Sequence, residues 1–558
     1  MLDKQDFDIA KLIKRILAAD GNKRESRFCF IYALALSISL VVGHSLYEYG
    51  DFSGLCGTWI KGLVSLLAVL GLTMAVRTLC IWSVKVLSKQ GMRIEKKRWT
   101  IFKFIPLVGM LIFLAWLPCY LSYYPGVLSY DMYAQTPEAL GIDPIGRHHP
   151  PLHTFIWKMC LLLEQRFGGS ALVIYSLLQM LVLASAFAYV IQFLAKRKVC
   201  NGVVLFALLF FCLNPVIAIF SFIPTKDAMF AGALILFVVE LCSFAISEKG
   251  MKDLRGMARI ILFGTLSCLL RNNMVYALIP SAIMGCIILK KKCKWFIMKS
   301  ICIVCLFGVV NGPIYSILGV QDGNIKEMLS VPMQQMSYVA TIHLDELSKE
   351  TIEEAYPYFP IDCVQYVYNP RIADPVKSSL NQDAFKDNPK TFFEIWAKML
   401  VRYPSDYVVA FLDLNLPCWY LFANAVDEYS EVAYIETNIY EEWRTGYEVV
   451  RESKIPWLYD FYEQIASFEM FERIPIVSIL FSLSLPIWLL LFVLTYLLIQ
   501  KKYNLIIPIL PPIFVWCTYL LGPVSNFRYM FPLVVMYPIL LALLQPSAFE
   551  EEVCEKRK

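Results

Sequence analysis

Apolar stretches of about 20 residues, the length a helix needs to cross a hydrocarbon core, recur along this chain from residue 28 to residue 544. Lipid offers the backbone no hydrogen-bond partners, so spanning segments are either helices or closed barrels. Barrel strands read as short alternating segments, whereas these runs are continuous. A soluble fold would have to place a chain that is 58% hydrophobic and 17% charged around one core of implausible size. The sequence therefore predicts an all-α polytopic membrane protein. Twelve spans are expected, at 28–47, 59–82, 101–121, 170–194, 201–221, 228–246, 257–270, 273–289, 296–316, 474–499, 504–521 and 528–544. The two that flank Arg271 are short and read equally well as one kinked or broken helix.

Basic residues recur at alternate helix ends: Lys11 to Arg27, Lys85 to Lys103, Lys196 to Lys198, Lys249 to Arg259, Lys290 to Lys299, and Lys501-Lys502. By the positive-inside rule these ends are cytoplasmic, as are both termini. The order expected is a cytoplasmic N-terminus (1–27), a transmembrane module (28–317) with an outer loop at 122–169, and an extracytoplasmic, mainly helical domain (318–472) between the ninth and tenth spans. C-terminal spans (473–545) and a cytoplasmic tail (546–558) follow. The 318–472 segment carries 26 Asp and Glu against 11 Lys and Arg, while the whole chain has 46 and 51, so the rest is strongly basic, as this orientation requires. The first apolar run is too long for a cleavable signal and is expected to remain as an anchor. Before it, Phe7 to Leu17 has the apolar spacing of a helix lying on a membrane surface or on the protein's own cytosolic face.

With this topology four polar clusters face outward: 122–169, Pro224 to Asp227, Arg271 to Asn273, and Gly522 to Arg528. Three of the five histidines, His148, His149 and His153, fall in the first. Asp131 with His148 and His149 offers general-base chemistry, and Asp131 with His149 is a candidate site for a divalent metal, Mg or Mn. His153 reads more readily as a structural histidine. Pro150-Pro151 suits the start of a helix, which would set His149 and His153 four apart on one side. Thr225 reads as the N-cap of the next cluster's helix and Asp227 suits its positive end, but Lys226 opposes the dipole. A bound anion would remove that conflict; pairing with Asp227 is the alternative. Arg271 with Asn272, and Arg528 with Tyr529, supply the fork geometry that binds phosphate, or else pair with Asp131, Asp227 or the acidic domain. Gln135, Gln334 and Gln335 are weaker candidates for hydroxyl recognition in an acceptor.

Cys302 and Cys305 lie inside an expected span, without the second pair a zinc site needs. Cys363 and Cys418 are left open as paired or free. No Gly-rich phosphate loop, Ser-His-Asp arrangement or nucleic-acid motif is present, which argues against a nucleotide-driven pump.

Tyr124-Pro125-Gly126 with Asp131, His148 to Pro151, Thr225-Lys226-Asp227, Arg271-Asn272-Asn273 and Asn526 to Pro532 resemble an uncharacterised family of bacterial multi-pass membrane proteins. Val331 to Gln335, Ala373 to Lys377 and Tyr403 to Tyr407 resemble its outer domain, so the likeness runs from about residue 100 to 540. That family in turn looks like the GT-C glycosyltransferases. The resemblance implies a transferase of the bacterial cytoplasmic membrane. It would move a sugar from a polyprenyl-phosphate donor to an extracytoplasmic glycan or lipid, with Asp131 as the loop acid acting as base or metal ligand. GT-C enzymes often carry a second acid nearby; here the neighbour is Asp143 in a different context, or the histidines. Rival readings are a transporter or flippase of lipid-linked glycans, a metal-independent glycan ligase, and an assembly factor without catalysis.

Overall fold

The computed structural model describes residues 22–90, 102, 104–129, 131–197, 199–246, 253–423, 435–440, 443–468 and 479–549. Among them the chain is helical, with isolated bridges and no strand. The segment Phe7 to Leu17 lies outside the described residues. Six helices are long and apolar enough to cross a membrane: Lys23–Tyr49, Trp59–Lys89, Ile105–Ser122, Ala171–Lys196, Lys226–Ile246 and Cys293–Ile317. The chain is an all-α membrane protein.

Helices also stand in the other expected spans, but they are shorter, for reasons the sequence carries. The 201–221 stretch divides at Asn214-Pro215 into Asn201–Leu213 and Pro215–Phe220, with Asn214 capping the second piece. Pro508, Pro511 and Pro512 lack the N–H an α-helix interior needs, and 504–521 becomes the 3-10 turn Tyr503–Ile509 followed by Leu510–Tyr519. The last stretch is likewise Phe527–Val534 and Tyr537–Leu543. Around Arg271 the outcome is two helices, Leu254–Leu270 and Met274–Leu289. Of the 474–499 stretch, the helix occupies Leu485–Ile499.

Burial identifies the centre. In the Lys226–Ile246 helix 83% of the apolar window is buried, against 17% in Trp59–Lys89. The latter shows Trp59, Leu63, Leu67 and Leu70 on its surface, an arrangement that would be an aggregation patch in water and suits contact with lipid.

The segment after the Cys293–Ile317 helix has its own core of Met333, Met336, Phe359, Phe385, Phe392, Ile395 and Met399. Phe392, Ile395 and Met399 form one face of Pro389–Arg402, which Asn388 caps and Pro389 opens. The expected helical character holds for much of this region, but residues 435–440 and 446–453 are non-helical. They run against the outer loop, with Tyr440 N donating to Leu128 O at 2.9 Å and Glu452 N to Tyr124 O at 2.8 Å. Two further contacts tie the domain to the bundle: Gln321 N to Ile145 O at 2.8 Å and Ala373 N to Pro523 O at 2.7 Å. Cys363 and Cys418 are both free thiols, Cys418 contacting Ser525 Oγ at 3.2 Å.

Candidate functional site

Four chain breaks meet at one end of the bundle, and each delivers a charge. Thr225 caps the Lys226 helix by accepting from Asp227 N at 3.3 Å, which fixes Lys226 and Asp227 in its first turn. The Leu254–Leu270 helix stops at Arg271, in extended backbone before the Asn272-Asn273 turn. Asn526 accepts from Arg528 N at 3.1 Å and starts the Phe527–Val534 helix. Asp131 opens the Asp131–Leu140 helix, where the dipole favours a carboxylate.

Lys226 Nζ lies 2.6 Å from Asp131 Oδ2, and Arg528 Nη1 donates to Asp131 Oδ1 at 2.9 Å. Arg271 pairs with Asp227, and Arg528 Nε is 4.0 Å from Asp227 Oδ2. The Arg271 guanidinium lies against the rings of both Tyr519 and Tyr529, 4.5 and 4.6 Å from their centroids, a cation–π geometry. Arg528 Nη2 donates to the Tyr529 hydroxyl at 3.1 Å. Three cations thus face two carboxylates, all largely withdrawn from solvent. The dipole conflict of Lys226 is relieved by Asp131, not by its neighbour Asp227.

Burial alone would raise the Asp131 carboxyl, but Arg528 and Lys226 beside it overcome that and hold it well below the usual carboxylate range. His149 Nδ1 is 3.7 Å from Asp131 Oδ1, beyond hydrogen-bond reach. Burial pushes His149 down to about 3, so the ring is neutral. A neutral His149 adds no charge to the cluster. His148 packs edge-on against His149 at 4.4 Å and lies 3.8 Å from Glu327 of the outer domain. A file of titratable groups therefore runs from buried Asp131 to a half-exposed glutamate.

His153 turns away from this file. Its ring nitrogens lie 2.6 Å from Gln135 Oε1 and 2.7 Å from the Tyr175 hydroxyl, and burial pushes it down to about 4. His149 and His153 do not share a side, because Pro150 is the cap and Pro151 the first helical residue, leaving His149 outside the helix.

The three glutamines expected to meet an acceptor each donate a hydrogen bond within the protein. Gln135 donates to Thr154 Oγ1 at 2.9 Å, Gln334 to Asn369 O at 2.7 Å and Gln335 to Tyr407 O at 3.2 Å. Asn272 shapes the turn that releases Arg271, its carbonyl accepting from Val275 N at 3.2 Å.

Two residues escaped the sequence reading. Glu138, seven residues after Asp131 and so on the same helix face, accepts from Gly146 N at 3.3 Å, and burial pushes it up to about 7. Its heptad spacing from Asp131 was a usable signal. Tyr519, stacked on Arg271, had none.

Asp131 and His149 do not fit a divalent metal as they stand. Lys226 and Arg528 occupy both carboxylate oxygens at 2.6 and 2.9 Å, and among the described residues no third His, Cys, Asp or Glu completes a group.

No curated protein and no solved structure matches the chain. Residues 145–557 match DUF6020, a family of unknown function, a stretch that includes His148, Lys226, Arg271, Arg528 and the outer domain but begins after Asp131. The chain belongs to the DUF6020 family.

Proposed function

We propose that this protein is a membrane glycosyltransferase of GT-C type, moving a sugar from a polyprenyl-phosphate donor to an extracytoplasmic glycan or lipid. All twelve helical stretches would cross the bacterial cytoplasmic membrane, leaving both termini inside and the charged cluster outside. The observation that carries the reading is the gathering of Lys226, Arg271 and Arg528 around Asp131 and Asp227, at the end of the most buried spanning helix. Cations gathered in this way bind phosphate through charge-assisted hydrogen bonds, and a donor phosphate entering from the lipid side would meet all three.

In the reaction the acceptor oxygen forms a bond to the anomeric carbon as the bond from that carbon to the phosphate oxygen breaks. The acceptor proton passes to Asp131, and the electron pair leaves with the lipid phosphate, whose growing charge meets the two arginines and Lys226. Asp131 held by two cations is a weak base. A phosphate that draws Lys226 and Arg528 away would let its carboxyl rise towards the ordinary range, so donor binding prepares the base. A metal-independent version is favoured by Lys226 and Arg528 at the oxygens a metal would need.

The test is a purified assay of sugar transfer from a polyprenyl-phosphate-linked donor, with and without chelator, using the native protein and Asp131→Asn. Transfer that resists chelation and is lost in Asp131→Asn supports the reading. Undiminished transfer by Asp131→Asn removes Asp131 from the mechanism, and lipid-linked glycan crossing vesicles without transfer points to a flippase.

A further inference from the structure

The short Pro215–Phe220 helix ends in a turn that leads directly to Lys226, and the sequence leaves that turn short of donors. The carbonyl of Phe220 would take its helical bond from residue 224, but Pro224 has no N–H. The carbonyl of Ser221 would take one from Thr225, whose N–H instead reaches Ile223 O at 2.8 Å. Carbonyls stranded at a helix end away from water need partners from elsewhere.

One side chain supplies most of them. Gln179 Nε2 lies 3.1 Å from Phe220 O, 3.2 Å from Ser221 O and 2.7 Å from Ile223 O, so its amide hydrogens are shared among three acceptors. Ser176 Oγ, on the same face of the Ala171–Lys196 helix, donates to Phe222 O at 3.2 Å. The other end of the amide faces away from the turn, with the Tyr175 hydroxyl 3.1 Å from Gln179 Oε1. That hydroxyl also meets His153 Nε2, and His153 Nδ1 meets Gln135 Oε1. Gln135 stands one turn after Asp131 in the Asp131–Leu140 helix. Gln135, His153, Tyr175 and Gln179 are all fully buried. This chain of contacts joins the two elements that bring Lys226 and Asp131 to 2.6 Å, and it gives a use to Gln135 and His153, which stand apart from the charged file.

We propose that Gln179 is a positioning residue that, through this chain and the turn before Lys226, sets the reach of the Lys226 ammonium to Asp131.

The experiment follows acetylation of lysines in the full-length protein in neutral micelles, read residue by residue by mass spectrometry. A buried, ion-paired amine reacts slowly. Gln179→Met keeps the side chain's length without its amide and should speed reaction at Lys226 about tenfold, and Tyr175→Phe about threefold. Lys377, buried in the 318–472 region against Glu327 and Asp374, should react at its native rate in both. Equal acceleration at both lysines would mean general loosening and overturn the proposal, as would a native rate at Lys226 in both variants. Tyr175→Phe loses a single oxygen and decides the matter should Gln179→Met not fold. A second arm rests on the transferase reading. There Gln179→Met should weaken polyprenyl phosphate binding about tenfold in the native background but less than about twofold in a Lys226→Ala background, because the two residues act as one. Equal losses in both backgrounds would overturn the positioning role. A native protein that binds no polyprenyl phosphate would sink the transferase reading and leave the acetylation rates to decide the role of Gln179.

Discussion

Two buried arginine–aspartate sites in this molecule differ in where their members come from. In the 318–472 region Arg371 pairs with Asp413 and also donates to its backbone oxygen at 2.9 Å. Both residues belong to one region, built round its own apolar core. At the bundle end Arg271 pairs with Asp227 in the same way, but Lys226 and Arg528 also meet on the carboxylate of Asp131. A pair drawn from one region holds that region together. A cluster drawn from chain breaks far apart in sequence gathers charge at one end of the bundle, where the proposed phosphate would bind.

Substitutions can break that contrast. The largest expected effect is at Asp131: Asp131→Asn should lower turnover by about a thousandfold or more, as loss of a base that also orients the acceptor does, in a sugar-transfer assay normalised to folded protein. Turnover within tenfold of the native protein would leave the bundle-end site without catalytic meaning. Arg371→Met should act on stability instead, costing about 3–5 kcal/mol by removing the cation bonded to buried Asp413, while turnover per folded molecule is unchanged. Denaturant unfolding alongside the same assay separates these. A stable Arg371→Met that has lost turnover would merge the two regions.

A smaller effect sharpens the comparison through pH. His149 and His153 titrate in the folded protein at about 3 and about 4, against an ordinary value near 6.5. Below about 6.5 the unfolded chain binds protons that the folded one does not, so stability falls as pH drops through that window, by up to about 1.4 kcal/mol per unit for each ring. Glu138 has the opposite sign. Held at about 7, it keeps a proton that the unfolded chain releases above about 4.5, and stability falls as pH rises between the two. Glu138→Gln should therefore steepen the acid loss between pH 6.5 and 4.5 in thermal melts. A flat profile in the native protein would contradict the buried, neutral histidines.

Much of this architecture was legible in sequence because apolar run length answers to bilayer thickness, a local property. The helix breaks at Asn214-Pro215 and Pro508 to Pro512 were equally local, but a hydropathy reading passes over them because proline is tolerated in apolar runs. Of the site, the types and the shared end were legible, since polar residues at helix ends are few. The pairing was not: Lys226 relieves its dipole conflict on Asp131, 95 positions away, and nothing near either residue encodes that choice. The internal hydrogen bonds of the glutamines were illegible for a related reason: Gln335 is held by Tyr407 and Trp396, which come from other helices.

The most direct measurement is the affinity of the purified protein for a polyprenyl phosphate without sugar, comparing the native chain with Lys226→Ala, Arg528→Ala and Arg371→Met at fixed ionic strength. Loss of a charge-assisted contact should weaken binding about 10- to 100-fold in the first two, with Arg371→Met indistinguishable from native. Equal affinity in all four proteins would contradict a phosphate clamp at the bundle-end cluster.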